Sequence, residues 1–428
     1  MMPTVAGIRG LFADTAPLAN PYFRRLWRAN IVTVIGAQLT VVAVPAQIYA
    51  ITGDSGYVGL TGLFGLVPLV VFGLWGGALA DHFDRRRLLL VSTFGLIGTS
   101  ALFWVQAALD LRNVWLLLGI FALQQAFFGL NQPARSAILP RLLPAAQLPA
   151  ASALSMTVSM AGAIAGPMVG GVLIPLGYSW LYLIDTLTLL ATLSAVWRLP
   201  SLPIENRVGS PGLRSVVDGL AYLKGHPVLL TSFLLDLIAM VFGMPRSLFP
   251  EIAHLAFGGP IAGGNELALL FAAIPVGAVL GGVFSGWVSG VTRQGRAVVW
   301  CILLWGVAMA GFGLAVGLAP QWRGPMLALA LAMLVGGGAA DMASSAFRNA
   351  MLLSAADDAV RGRLQGVFIV VVVGGPRIAD TLHGYAAGIV GTAWASGGGG
   401  LLVIVLTALV AVLVPAFWRY RPGAGQEP

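Results

Sequence analysis

Twelve apolar stretches recur from one end of the 428-residue chain to the other. Each is close to the roughly 20 residues that cross a hydrocarbon core as a helix. They run over 26–50, 57–80, 88–109, 114–139, 151–175, 179–198, 228–250, 266–289, 297–319, 325–350, 364–390 and 398–418. Only 9% of the residues are charged, against about 25% in a soluble domain, so the stretches belong in lipid. Lipid cannot hydrogen-bond an open backbone, which leaves helices or a closed barrel. Barrel strands would be shorter and would alternate in polarity. The sequence therefore predicts an all-α membrane protein with twelve spanning helices.

The placement of charge orients those helices. The net charge is +8. With the N-terminus inside, 18 of the 24 Lys and Arg fall in cytoplasmic segments, from Arg9, Arg24, Arg25 and Arg28 through to Arg419 and Arg421. Arg112 and Arg323 fall outside, while Arg135, Arg246, Arg348 and Arg377 lie within helices or at their ends. This bias predicts cytoplasmic N- and C-termini and requires no nucleic-acid partner. Four arginines stand in the first thirty residues, before or at the start of the first long apolar run, and no small-residue cleavage site follows a short one, so no cleavable signal peptide is expected. The single cysteine, Cys301, lies inside the ninth run and reads as a buried thiol.

The longest polar interval, 200–227, divides the chain into an N-terminal half (1–199) and a C-terminal half (228–428), each with six predicted helices. Within this cytoplasmic linker, "LRSVVDGLAYL" has the spacing of a short amphipathic helix at a membrane surface. A faint repeat links the halves: "PARSAIL" ends the fourth run and "AFRNAML" the tenth, matching Arg135 with Arg348. Paired six-helix halves predict rocking about a site between them.

The turn after the second run, "GGALADHFDRRR", resembles the loop signature of the major facilitator superfamily, Gly-x-Leu-Ala-Asp-Arg-x-Gly-Arg-Arg. It matches at Gly77, Leu79, Ala80, Asp81, Arg85 and Arg86 and departs at His82 and Asp84. The resemblance implies a conformational latch formed by Gly77, Asp81, Arg85 and Arg86. Asp81 would face the start of the eleventh helix near Arg361–Leu364, and the arginines would bridge to cytoplasmic helix ends. "GAIAGPMVGGVL" in the fifth run carries Gly162, Gly166, Pro167 and Gly170. This stretch resembles the signature of the superfamily's drug:proton antiporters and implies export; ordinary close packing of a glycine face explains it as well.

Charges inside the spans are costly and mark candidate sites. The seventh run holds Asp236 and, near its outer end, Arg246; the tenth holds Asp341; the eleventh holds Arg377, Asp380 and His383. The spacing of the last three predicts a shared helix face, just beyond a break expected at Gly374, Gly375 and Pro376. Asp236, Asp380 or His383 would take up a proton, with Arg377 holding an anionic ligand or an aspartate. The competing reading is a static Arg377–Asp380 pair. Asp185, in the sixth run, reads as a packing contact.

Wider stretches, "AVPAQIYAITGDSGYVGL", "PARSAILPRLLP", "LFAAIPVGAVLGG" and "RGRLQGVF", resemble the enterobactin-exporter family from about Phe23 to Trp418. The fourth run begins "WLLLGIFALQQAFFGL" and lacks the arginine of the superfamily's proton-coupling signature. The resemblance implies a multi-pass protein of the bacterial inner membrane. It would export a siderophore by proton antiport with alternating access, as a monomer among membrane lipids. A cavity for such a solute would draw on Gln38, Gln47, Trp104, Gln124, Gln125, Phe128 and Arg377. A multidrug or macrolide efflux pump and a non-transporting membrane sensor remain alternatives. An enzyme is not expected. The four histidines (His82, His226, His254 and His383) are scattered, so no metal cluster is predicted, and no phosphate-binding loop or other cofactor motif appears. "GGGG" at 397–400 reads as a loop.

Overall fold

The computed structural model describes residues 14–82, 84–200, 221–355 and 358–421, apart from the side chains of 76–82, 137, 289 and 353–373. Most of the expected linker helix, and the side chains of Gly77 and Asp81 in the expected latch, lie outside these described residues. Among the described residues, twelve long helices follow one another. They are α1 (Pro21–Thr52), α2 (Ser55–His82), α3 (Arg85–Ala108), α4 (Val114–Leu142), α5 (Leu148–Leu173), α6 (Tyr178–Trp197), α7 (Pro227–Phe242), α8 (Asn265–Val283), α9 (Gln294–Leu318), α10 (Arg323–Ala355), α11 (Asp358–Val390) and α12 (Thr392–Leu413). Among the described residues, eleven stretches are long and apolar enough to cross a membrane. No strand occurs among the described residues.

Local chemistry sets the helix ends. Asn20 caps α1 by accepting from the backbone N–H groups of Tyr22 and Phe23 at 2.9 and 3.2 Å, and Pro21 supplies a preset φ at the first position. Gly53, at φ +67°, ends the helix in a left-handed conformation suited to glycine. Asp84, where the superfamily pattern has glycine, caps α3 by accepting from the Arg86 N–H at 2.8 Å. The Arg86 guanidinium then donates to the Trp197 carbonyl at the end of α6, at 2.6 Å. One arginine of the expected latch thus ties two helix ends together.

The most extensive contacts within the first six helices join α1 to α5 and α6, α2 to α4, and α3 to α4 and α6. The same pattern recurs six helices later: α7 packs on α11 and α12, α8 on α10, and α9 on α10 and α12. The main contacts between the two sets are α2 with α11 and α5 with α8. At the first of these, a Cβ on Gly59 would meet the Asp380 carbonyl and Gly384, and one on Gly62 would overlap the Arg377 carbonyl. The Thr381 hydroxyl donates to the Gly59 carbonyl at 3.1 Å. Small residues let these backbones touch.

Three expectations are corrected. The helix break forecast at Gly374–Pro376 is absent, because α11 runs through Pro376 to Val390. Gly375 instead admits Met240 of α7, and neighbouring helices can stabilise a proline-containing span. The break falls in the seventh run, where α7 stops at Phe242 before Gly243 and Pro245 and the chain continues in short turns to Ala256. Third, Gly397–Gly400 is not a loop but lies inside α12. A Cβ at Gly313 of α9 would overlap the Gly397 backbone, and one at Gly400 would crowd Gly306. Three of the four, Gly397, Gly399 and Gly400, form a packing surface.

Gly313→Ala should therefore lower the thermal unfolding midpoint of the detergent-solubilised protein, at a cost of about 1–3 kcal/mol, because backbone atoms limit relaxation. Gly398→Ala, whose Cβ would meet nothing within 4 Å, should leave the midpoint unchanged in the same measurement.

Candidate functional site

A cavity of about 440 Å³ lies between the two sets of helices. One long wall is α4. Phe121, Gln124, Gln125, Phe128, Asn131 and Arg135 line it, at spacings of three and four residues that place them along one helix face. The α1 wall contributes Asn30, Thr33 and Thr40, α6 contributes Asp185, and α11 contributes Arg377 and Asp380. Arg246 enters from the turn that follows the break in α7, a position that an unbroken helix would not provide.

Three guanidinium groups and two carboxyls thus share one cavity. Arg377 donates to Gln125 Oε1 at 3.2 Å and stands over the Phe121 ring, 5.3 Å from its centroid. A Cβ on Gly65 of α2 would lie 3.2 Å from that guanidinium, so the glycine makes room for the stack. Arg246 lies 5.9 Å from the centroid of Phe271. Asp380 interacts electrostatically with Arg377 and Arg246, and its backbone carbonyl accepts from the Ser247 hydroxyl at 2.9 Å. The Arg377–Asp380 ion pair considered from sequence is not formed at 4 Å or less.

Other expected candidates lie elsewhere. Asp236 is only 2% exposed and is ion-paired with Arg348 of α10, outside the cavity. Arg348 also approaches Asp341 at 3.8 Å. His383 does not share the face of Arg377, because six residues turn a helix by about 600° and leave it about 120° away. It is 3% exposed and sits near Phe242 and Gly399 instead. Gln38 packs against Gly166 of α5. Gln47 is bonded to Gln106 and to the Tyr182 hydroxyl, and Trp104 is not on the cavity wall. Arg135 and Phe121 join the site without standing out in the sequence as binding residues; the polar period along α4 is the signal that could have found them. Among the described residues, no group of three or more metal-ligating side chains occurs.

An arginine contact at matching positions repeats between the two sets. Arg135 of α4 donates to Asn30 of α1, as Arg348 of α10 pairs with Asp236 of α7. Asn30 and Asp236 each lie about two and a half turns beyond the proline that opens their helix. The first pair faces the cavity and the second is buried. Arg348→Leu should strip Asp236 of its partner and cost about 3–5 kcal/mol. Adding Asp236→Leu to that variant should restore much of the loss, read from unfolding midpoints of both proteins.

Comparison with known proteins agrees with this architecture. The family described as transmembrane secretion effector, of the major facilitator type, matches residues 12–419. A protein of Shigella boydii serotype 18 named enterobactin exporter EntS is 30% identical over 412 residues, covering 94% of this chain and 95% of its own. Among solved structures, a POT family transporter in complex with 5-aminolevulinic acid superposes with a TM-score of 0.71 at 15% identity, covering 91% of this chain and 96% of its own. The nucleoside transporter NupG gives 0.71 at 13% identity, covering 94% and 100%. At those identities the likeness establishes the fold alone. The chain belongs to the transmembrane secretion effector family and is a multi-pass membrane transporter of the major facilitator type.

Proposed function

We propose that the protein exports an enterobactin-like siderophore from the cytoplasm across the bacterial inner membrane, by proton antiport with alternating access. The observation that carries this reading is the chemistry of the cavity wall. Arg135, Arg246 and Arg377 stand beside the amides of Gln124 and Gln125 and the rings of Phe121 and Phe128. Such a set suits a bulky, oxygen-rich, partly aromatic solute with negative charge, because guanidinium groups bind oxyanions and stack on rings. The volume lies within the roughly 300–1,000 Å³ of small-molecule sites. The relatives named enterobactin exporter, aligned over nearly the full length of both chains, favour the same solute class.

In this reading, residues 1–199 and 228–428 act as two halves that rock about the cavity as a monomer, with 200–227 as a cytoplasmic linker. The charge bias puts both termini in the cytoplasm. On that orientation the cavity extends toward the cytoplasmic ends of α1 and α4 at Asn30 and Arg135. The glycine crossing of α2 and α11 closes its outer side.

Deleting the gene, starving the cells of iron and measuring siderophore inside and outside by mass spectrometry tests the proposal. Siderophore should accumulate inside and fall outside. Complementation with Arg377→Gln should restore about a tenth or less of export, as expected for losing a charged hydrogen bond worth about 1.5–3 kcal/mol. An unchanged distribution with new sensitivity to macrolides or dyes would replace the proposal with a drug pump. No change in either would favour a non-transporting sensor.

A further inference from the structure

Asp185 differs from the other buried carboxyls in the company it keeps. It is 2% exposed, in the middle of α6, and lines the cavity. One oxygen, Oδ2, accepts from the Thr40 hydroxyl of α1 at 2.7 Å and from the Ser100 hydroxyl of α3 at 3.0 Å. The other, Oδ1, has no hydrogen-bond partner. It lies next to Gly36 of α1, where a Cβ would come within 3.0 Å of it and would overlap the Thr188 hydroxyl. Asp236 has Arg348, and Asp380 has the charges of Arg377 and Arg246. No such cation faces Asp185.

The surrounding elements supply none. On α1 the charged residues are Arg24, Arg25 and Arg28, near its start, and on α3 they are Arg85, Arg86 and Arg87, at its start. The α5 segment has no ionisable residue. On α6 itself the nearest titratable group is Tyr182, whose hydroxyl donates to Gln47 at 2.8 Å. Arg135, Arg246, Arg377 and Asp380 stand on other walls of the cavity. A lone buried carboxylate is costly in a membrane interior, whereas a neutral, hydrogen-bonded carboxyl is far less so.

The partner type decides what this site can do. A guanidinium only donates hydrogen bonds, so it fits a carboxylate alone. A hydroxyl both donates and accepts, so Thr40 and Ser100 can serve a carboxylate and, after rotation, a protonated carboxyl. The free Oδ1 provides a place for the proton. We propose that Asp185 is the proton-binding carboxyl of the cavity. It takes a proton from water on one side of the membrane, becomes a neutral acid, and returns that proton to water on the other side as the cavity changes its opening. This rests on the exporter reading for the identity of the driven solute, but not for the existence of the site.

The test uses the full-length protein in lipid nanodiscs. Infrared difference spectra are recorded as the pH is stepped across the neutral range, in choline chloride and in sodium chloride. A protonated-carboxyl C=O band should grow as the pH falls, vanish in Asp185→Asn and persist in Asp236→Asn. Its persistence in Asp185→Asn, or its absence in the native protein, would overturn the proposal. So would its suppression by sodium at fixed pH, which would mark a sodium site. If Asp185→Asn unfolds, Ser100→Ala decides instead: loss of a hydrogen bond must shift the band, and an unshifted band refutes the assignment. In proteoliposomes loaded with enterobactin, Asp185→Asn should keep solute exchange but lose accumulation driven by a pH gradient. Retained accumulation would contradict the coupling role. If the native protein moves no enterobactin, the exporter reading fails, and the infrared result alone decides on Asp185.

Discussion

A hydrocarbon bilayer offers no hydrogen bonds, so each polar group in a spanning helix depends on a partner from within the chain. That requirement organises the interior. Gln47 of α1, Gln106 of α3 and Tyr182 of α6 satisfy one another at 2.8–3.2 Å. Asn131 of α4 donates to Ser92 of α3 at 2.9 Å. Arg348 is held by Asp236 and Asp341. The contacts of Gln47 with Gln106 and Tyr182 and of Asp236 with Arg348 join helices that are not consecutive, so these polar groups also register the helices against one another. The groups left around the cavity, with incomplete or exchangeable partners, are the ones available to a solute or an ion.

Close approach of the helices is the second requirement, and glycine meets it. With lipid on both sides, helices gain little from burying apolar surface and rely on contact between backbones. The crossings of α2 with α11 and of α9 with α12 are lined by glycines whose Cβ atoms would overlap the opposite backbone. The α2–α11 crossing also shapes the cavity. Gly59 and Gly62 of α2 abut the α11 backbone, and Gly65, one turn further along, leaves room for the Arg377 guanidinium that lies over Phe121. Packing and site are therefore parts of one surface.

Much of this was legible in the sequence. Lipid imposes a minimum length and a narrow composition on a spanning helix, and the apolar stretches show both. The charges at Asp236, Arg246, Arg377 and Asp380 stood out because ionised groups are rare at that depth. Gln124 and Gln125 stood out as amides inside an apolar run. Rotation was harder to read. His383 looked close to Arg377 in sequence but faces α12, and Gln38 looked available but packs under Gly166. Backbone breaks were harder still. Gly374–Pro376 and Gly243–Pro245 are similar local signals, yet only the second ends a helix. The second half of α11 stays helical through Pro376 where it packs on α2 and α7, whereas the chain turns after α7.

The sequence by itself determined that the chain spans a membrane as helices, about how many times, and which residues carry charge into lipid. Those properties depend on the transfer of single segments from water to hydrocarbon, which needs only local information. The tertiary structure decided which charges meet. Asp236 is locked to Arg348, Asp380 is set beside two arginines, and Asp185 is given only hydroxyls. That distribution depends on the rotation and crossing of helices far apart in sequence, fixed by glycine contacts between them. The chemistry of each carboxyl follows from its neighbours, and no local stretch of sequence contains them.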